Sequence, residues 1–162
     1  MQDQPGVLNR VASLFRRRGF NIESLAVGHT ETAGVSRMTL VVDEAHTSVE
    51  QVTLQLNRLI EVLEVSDVTD EPNVARELVL LKVDAPANRR PDLQNLVTEF
   101  DARIADVGAD TLLLELAAAP EDVDNFVAAA RPFGIREMVR TGRVTMVRGA
   151  QTHAADAYVR VA

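Results

Sequence analysis

The chain has 162 residues, with 17 basic and 24 acidic side chains that give a net charge of −7. Apolar residues make up 46% of it and charged residues 25%, which is typical of a folded globular protein and excludes a disordered chain. The acidic balance argues against a duplex DNA binder, which needs a basic face. The absence of cysteine excludes disulfides, thiolate zinc sites and a cysteine nucleophile.

Apolar runs in the sequence are short. None approaches the ~18 consecutive apolar residues that a membrane-spanning helix needs. The first residues, MQDQPGVLNRV, contain no apolar signal core, so we expect a cytoplasmic protein. The basic residues are sixteen arginines and one lysine, Lys82, a preference that a codon bias explains most simply.

The first half of the chain alternates helical and strand patterns. Between Pro5 and Gly19, apolar residues recur every three or four positions, which predicts a helix that begins near a proline and ends at a glycine. The residues that follow are rich in β-branched side chains and predict two strands joined by a hairpin loop. The predicted elements are a helix over Pro5–Gly19, strands over Asn21–His29 and Ser36–Asp43, a helix over Val49–Leu63 and a strand over Val65–Thr69.

The second half repeats this order with an additional strand in front. Its predicted elements are a strand over Glu77–Asp84, a helix over Asp92–Phe100, strands over Ile104–Val107 and Thr111–Ala117, a helix over Pro120–Ala130, and strands over Ile135–Thr141 and Val144–Val147. This is the βαββαβ order of a ferredoxin-like domain. The predicted fold class is therefore α+β, with two ferredoxin-like domains.

A polar break around residues 70–73 separates the two halves. It predicts a first domain over residues 1–71, a linker over 72–76, a second domain over 77–149 and a polar tail over 150–162. The first domain lacks most of the opening βαββαβ strand, which lies in the middle of such a sheet. Because a missing central strand leaves two rows of backbone groups unpaired, we expect the given chain to begin inside that strand, with Met1–Gln4 as its remnant.

Two short segments have the chemistry of a site for an amino acid headgroup. Residues 3–6, DQPG, lead into the first helix, where free backbone N–H groups attract an anion and Gly6 leaves room for a carboxylate. Asn21 opens the next strand, and its carboxamide can both donate and accept hydrogen bonds. A capped helix followed by a turn asparagine explains the same residues without a ligand.

The segment PGVLNRVASLFRRRGFNIESLAVGHTE, followed by SRMTLVV, closely resembles the small, regulatory subunits of acetolactate (acetohydroxyacid) synthase, which begin with an ACT domain. Further segments resemble the C-terminal domain of that family in the same order: ARELVLLKV, IADV, PFGIREMVRTGRV and VRG. The resemblance extends from Asp3 to Gly149. Its most specific part is GFNIESL with the downstream SRMT.

The resemblance implies a regulatory function. Such subunits are not catalytic; they bind a large subunit that uses thiamine diphosphate, Mg²⁺ and FAD, raise its activity and confer feedback inhibition by valine or another branched-chain amino acid. No cofactor is expected in this chain. The resemblance also implies a homodimer through the ACT domain, with the effector site between two copies. The implied effector-binding residues are Asp3, Gly6, Val7 and Leu8 from one chain, Asn21 and Ile22 from the partner chain, and Gly28 in the pocket lining.

Other functions remain as alternatives. An enzyme needs a nucleophile, a base or a metal, but His29, His46 and His153 have no second ligand at a suitable spacing and are better explained as loop or surface residues. A stand-alone ACT-type amino acid sensor of another protein would share the ligand site and lack the second half. A purely structural domain would bind no amino acid.

The last strands of the second half form a basic stretch. The stretch contains a single acidic residue, Glu137, and five arginines: Arg131, Arg136, Arg140, Arg143 and Arg148. A solvated strand face explains this pattern most simply, and contact with the acidic surface of a partner is the alternative.

Overall fold

The computed structural model describes residues 1–43 and 47–149. It divides the described chain into two compact units, one formed by residues 1–74 with residues 145–149, and the other by residues 75–144. The predicted tail over 150–162, with His153, and the loop residue His46 lie outside the described residues. Within the described ranges, no helix is long and apolar enough to cross a membrane.

The first unit contains two helices and an antiparallel pair of strands. These are α1 (Val7–Arg18), β1 (Ile22–His29), β2 (Ser36–Val42) and α2 (Val49–Leu56). Helix α1 forms as predicted because its apolar stripe is buried, and the N–H of Phe20 closes its end on the carbonyl of Phe15 at 3.0 Å. Gly19 makes this closure possible, since it adopts the left-handed conformation with a φ of 67°.

Helix α2 is shorter than the sequence predicts. Ser48 caps its start by accepting a hydrogen bond from the backbone N–H of Gln51, and the helix stops at Leu56 instead of Leu63. Turns follow, in which Leu59 and Val62 each donate to the carbonyl three residues earlier. These turns keep apolar side chains at three-residue intervals, which is why the pattern predicted a longer helix.

Residues 1–3 lie beside the beginning of β2. Gln2 forms a single antiparallel bridge with Val35, and its N–H donates to the carbonyl of Glu61 at 2.8 Å. This segment therefore occupies the central position expected for the opening strand. The prediction of a strand over Val65–Thr69 is wrong, because that strand would pair with the central one and only residues 1–3 occupy that place.

The second half of the chain forms a sheet with the order β4-β5-β3-β6, in which β7 also pairs with β3; the first two residues of β3 and most of β7 are counted with the first unit. The strands are β3 (Asn73–Asp84), β4 (Arg103–Val107), β5 (Thr111–Ala118), β6 (Ile135–Arg140) and β7 (Val144–Val147); the helices are α3 (Arg90–Glu99) and α4 (Pro120–Ala130). The central position of β3 fits a ferredoxin-like domain. Strand β3 starts at Asn73, so residues 73–76, which the sequence assigned to a linker, are extended and regular.

Alternation along β3 places its two sets of side chains on opposite faces of the sheet. Val79, Leu81 and Val83 are fully buried beneath the helices, where the Phe126 ring packs at 5.4 Å from the Phe100 ring. The opposite face carries ion pairs between neighbouring strands. Cross-strand pairs there include Lys82 with Glu137 at 3.2 Å and Arg103 with Glu115 at 2.8 Å.

Candidate effector site

The N-terminus of α1 is open. Gly6 occupies the capping position with a φ of 91°, no side chain caps the helix, and its first turn contains no acidic residue. A Cβ atom placed on Gly6 would meet nothing within 4 Å. The first N–H groups of α1 therefore form a region of positive partial charge that an anion can approach closely.

Asp3 and the end of β1 lie at this same end of the helix. The Asp3 carboxylate is 3.2 Å from Nδ1 of His29, and the Asp3 N–H donates to the carbonyl of Gly34. Gly28 precedes His29, and a Cβ atom there would also meet nothing within 4 Å. The contact between Asp3 and His29 could not be predicted from local patterns, because residues so far apart in the chain meet only when β1 folds back.

Val7 and Leu8 have different roles at the start of α1. The Val7 side chain is buried in the core, so only its backbone is available to a ligand there. The Leu8 side chain is 45% exposed. The sequence-predicted residues at this end therefore offer backbone donors, one carboxylate and one accessible apolar side chain.

Asn21 and Ile22 lie at the other end of α1. The helix has 12 residues, so its ends are about 18 Å apart at 1.5 Å per residue. Ile22 is partly buried against the core of the first unit. Within one chain, the structure therefore groups Asp3, Gly6 and Gly28 and leaves Asn21 distant from them.

The basic stretch of the second unit is largely neutralised inside the unit. Arg136 bonds Asp84, Arg140 bonds both Glu77 and Asp124, and Arg143 lies 3.5 Å from Glu77. Burial by itself lowers the pKa of the Arg140 guanidinium, but its hydrogen bonds to Asp124 and Glu77, with their charges, raise that pKa overall. These contacts favour the simpler explanation of the stretch as a structural strand face.

The acidic and histidine side chains of residues 1–43 and 47–149 form no cluster suited to a metal ion, because no three of them lie close enough together to hold one. The His29 side chain is 85% exposed and contacts a single carboxylate. The site that the structure does form is suited to binding a small zwitterion.

Comparison with known proteins covers both halves of the chain. Residues 1–64 match the model of the AHAS small subunit-like ACT domain, and residues 76–149 match that of the small subunit of acetolactate synthase. The chain belongs to the acetolactate synthase small-subunit family. Its second half is the part that a stand-alone ACT sensor lacks, so the match there decides against that alternative.

Individual relatives of this small subunit agree over nearly the whole chain. A probable acetolactate synthase small subunit from Archaeoglobus fulgidus is 50% identical over 149 residues, covering 92% of this chain and 93% of the relative. The acetolactate synthase small subunit of Bacillus subtilis is 42% identical over 155 residues, covering 95% and 90%. The family membership confirms the predicted regulatory, non-catalytic role.

A solved structure shows the same fold. The crystal structure of the acetolactate synthase small subunit from Thermotoga maritima matches with a TM-score of 0.83 at 36% identity, covering 93% of this chain and 94% of that chain. The predicted α+β class with an N-terminal ACT domain is therefore confirmed. The assignment of single residues to an effector site stays a prediction.

Proposed function

We propose that this small subunit binds the catalytic large subunit of acetolactate synthase, raises its activity and confers feedback inhibition by valine or another branched-chain amino acid. In this proposal the large subunit carries thiamine diphosphate, Mg²⁺ and FAD, and the small subunit carries no cofactor. A cytoplasmic location is part of the same proposal. Family membership supports the partnership, and the open N-terminus of α1 supports the effector site.

The proposed site uses the charge pattern of an α-amino acid. The ligand carboxylate accepts hydrogen bonds from backbone N–H groups around Gly6, Val7 and Leu8, where the positive end of the helix dipole favours an anion. The ligand ammonium lies near the Asp3 carboxylate and the carboxamide of Asn21. Exposed Leu8 and the bare backbone at Gly28 border the space for a branched side chain.

The distance along α1 requires two copies for this site. A single amino acid cannot contact both Gly6 and Asn21 of one chain when about 18 Å separates the ends of the helix. Strand β1 pairs only with β2 in the part of the chain that the structure describes, and its Leu25 and Val27 are 37% and 46% exposed. An apolar edge strand of this kind supports a homodimer in which the partner copy supplies Asn21 and Ile22.

A site shared by two copies links ligand binding to dimer geometry. A coupling free energy of about 1–3 kcal/mol changes the affinity of a second binding event roughly 5- to 150-fold, which is enough for feedback control. Selection among branched side chains is weaker, because one methylene in an apolar pocket changes binding by only about 1–3 kcal/mol. We therefore expect valine, leucine and isoleucine to compete for the same site.

The test measures acetolactate formation by the large subunit with and without this chain, each with and without valine, leucine or isoleucine. Stimulation reversed by one of these amino acids supports the proposal. Gly6→Asp, which places a carboxylate at the ligand carboxylate, and Asn21→Ala should each keep stimulation and lose inhibition. Asn95→Ala, on the exposed side of α3, is the matched control and should behave as the wild type.

Two results would contradict different parts of the proposal. Absence of stimulation by the wild-type chain would contradict the partnership. Equal inhibition of the wild type, Gly6→Asp and Asn21→Ala would leave the partnership in place and contradict the effector site.

A further inference from the structure

Asp3 and His29 lie side by side at the open end of α1, where the proposed function places the ammonium group of the effector. The Asp3 carboxylate is 3.2 Å from Nδ1 of His29. Backbone contacts bring the two residues together: the Asp3 N–H donates to the carbonyl of Gly34 at 2.8 Å, and His29 pairs with Ser36 across the β1–β2 hairpin. The contact is therefore built into the hairpin and does not depend on long, flexible side chains.

A small ligand can reach both side chains. The Asp3 carboxylate is half-exposed and the His29 imidazole is largely exposed. Gly6 and Gly28 leave open space at this end of the helix, because a Cβ atom at either position would meet nothing within 4 Å. A ligand ammonium that approaches Asp3 therefore comes close to His29 as well.

The charge of His29 determines how well the Asp3 carboxylate can bind a cation. Imidazole ordinarily gains its proton between about pH 5 and 8. A neutral imidazole donates at most one hydrogen bond to the carboxylate and leaves its negative charge in place, whereas an imidazolium neutralises that charge. The ammonium of a free amino acid stays protonated over the same range, so a protonated His29 and the ligand compete for one carboxylate and repel each other.

We propose that His29 is a further residue of the effector site, and that its protonation weakens the binding of a branched-chain amino acid. The effector then binds more tightly above the pH range in which imidazole titrates and more weakly below it, so feedback inhibition relaxes as the pH falls. Binding near the middle of that range releases a proton from His29. The inference rests on the proposed function, because it adds a residue and a form of regulation to the same site.

Other charged groups of the described chain also lie near His29. Arg37 is on β2, opposite the residue that precedes His29, Glu31 is exposed in the hairpin loop, and the Met1 ammonium donates at 2.9 Å to the carbonyl of the strand residue opposite His29. Arginine and glutamate ordinarily keep their charges between about pH 6 and 8. Burial, followed by the charge of Arg37, lowers the pKa of the Met1 ammonium, although Glu64 opposes this, so the Met1 ammonium is a second group that can titrate near neutral pH.

The test follows inhibition of acetolactate formation by the holoenzyme at about pH 6, 7 and 8, with the uninhibited holoenzyme at each pH as the reference. Valine is the probe, and leucine or isoleucine replaces it if valine does not inhibit. For the wild type, we expect the half-inhibiting concentration to rise about three- to fivefold from pH 8 to pH 6, because solvent partly screens these charges. His29→Gln has no proton to gain, and its value should stay within about twofold across this range and close to the wild-type value at pH 8.

Two further variants and one direct measurement identify the groups involved. Asp3→Asn should weaken inhibition at pH 8 and abolish the pH dependence, and adding His29→Gln to it should change the half-inhibiting concentration less than about twofold. Glu31→Gln, the matched control on the same hairpin, should keep the wild-type pH profile. Calorimetry of the full chain with the same amino acid, in two buffers of different protonation enthalpy, should show proton release near about pH 6.5 for the wild type and none for His29→Gln.

Three results would overturn the inference. The first is a half-inhibiting concentration of the wild type that does not rise between pH 8 and pH 6. The second is an unchanged pH dependence in His29→Gln, which would assign the titration to the Met1 ammonium or to the large subunit. The third is additive effects of Asp3→Asn and His29→Gln. If none of the three amino acids inhibits at any pH, the proposed effector site fails, whereas inhibition without pH dependence overturns this inference alone.

Discussion

The two units of this small subunit pack their sheets to different degrees. In the second unit, β3 has a neighbour along both edges, and Val79, Leu81 and Val83 are fully buried. In the first unit, β2 pairs with β1 on one side and meets residues 1–3 only at its beginning, and its Met38, Leu40 and Val42 remain half-buried. In both units, each helix buries its own apolar stripe. The side chains of a strand are fully buried only where that strand has a neighbouring strand on each side.

This difference predicts that stability is unequal between the units. A unit with fewer fully buried side chains has less apolar area removed from water, so its local unfolding costs less free energy. The first unit also contains the candidate effector site. We therefore expect ligand binding to stabilise the less stable part of the molecule, where it has the greater effect on the population of unfolded forms.

The largest expected effect tests the closed core of the second unit. Phe126 is fully buried against Phe100, so Phe126→Ala should lower the unfolding free energy of this unit by about 3–5 kcal/mol through lost contacts and a cavity. Phe15→Ala, at the equally buried ring of the first unit, should cost less, because water can enter beside the half-buried strand residues. Native-state hydrogen exchange measures the unfolding free energy of both units, and equal losses in the two variants would contradict the unequal burial of the two units.

The next effect concerns a buried charge found in the second unit. The Glu77 side chain is 6% exposed and lies between Arg140 and Arg143. Glu77→Gln keeps the shape but leaves the two guanidinium groups without their shared counter-charge, so thermal unfolding should show a loss of about 1–3 kcal/mol. Asp124→Asn is the control: this carboxylate is 65% exposed, and its loss should cost less than about 1 kcal/mol. Similar losses in both variants would show that the burial of the carboxylate does not determine how much it contributes to stability.

A third pair of variants compares two glycines with nearly the same positive φ but different ψ, −13° at Gly6 and 94° at Gly134. Gly134 has a φ of 88°, and a Cβ atom there would lie 2.6 Å from Oδ2 of Asp84, which is bonded to Arg136. Gly6 has a φ of 91° and open space around it. Chemical denaturation should show a cost of about 1 kcal/mol for Gly6→Ala and about 2–3 kcal/mol for Gly134→Ala. A larger cost for Gly6→Ala than for Gly134→Ala would contradict the open space around Gly6.

The smallest effect depends on pH. Hydrogen bonds from the Thr69 hydroxyl and N–H lower the pKa of the Asp67 carboxyl. A lowered pKa in the folded state adds stability above the unfolded value of about 3.9, and this stability is lost as the pH falls through the folded pKa. Asp67→Asn should therefore cost below about 0.5 kcal/mol at pH 7, because the group is exposed, and progressively less as the pH falls through the folded pKa. Melting curves over a series of falling pH values check this, and a cost that grows as the pH falls would contradict the charge-based explanation.

The sequence predicted most elements because periodicity and local terminators act over short distances. Helix α4 and strand β7 have the predicted bounds, Pro120–Ala130 and Val144–Val147. Two predictions were wrong: the end of the second helix at Leu63 and the strand over Val65–Thr69. The first was wrong because apolar spacing does not distinguish a helix from successive turns, and the second because a strand requires a partner that lies elsewhere in the chain.

The candidate site shows the same division between local and distant information. The open start of α1 follows from Pro5 and Gly6, which are local, and from the absence of acidic residues in the first turn. The Asp3–His29 contact and the separation of Gly6 from Asn21 depend on how β1 returns along the helix. Patterns of spacing contain no measure of such distances, so before the structure the second copy was implied by the family resemblance alone, and the separation of Gly6 from Asn21 now supports that proposal.

The ion pair of Lys82 with Glu137 has a practical consequence for experiments. Lys82 is the only lysine of the chain, and its side chain is 46% exposed. An amine-reactive dye will therefore label one side chain, in addition to any free α-amino group. That label sits on the β3–β6 pairing, so its fluorescence reports the opening of this sheet edge in the assembled holoenzyme without a cysteine having to be introduced.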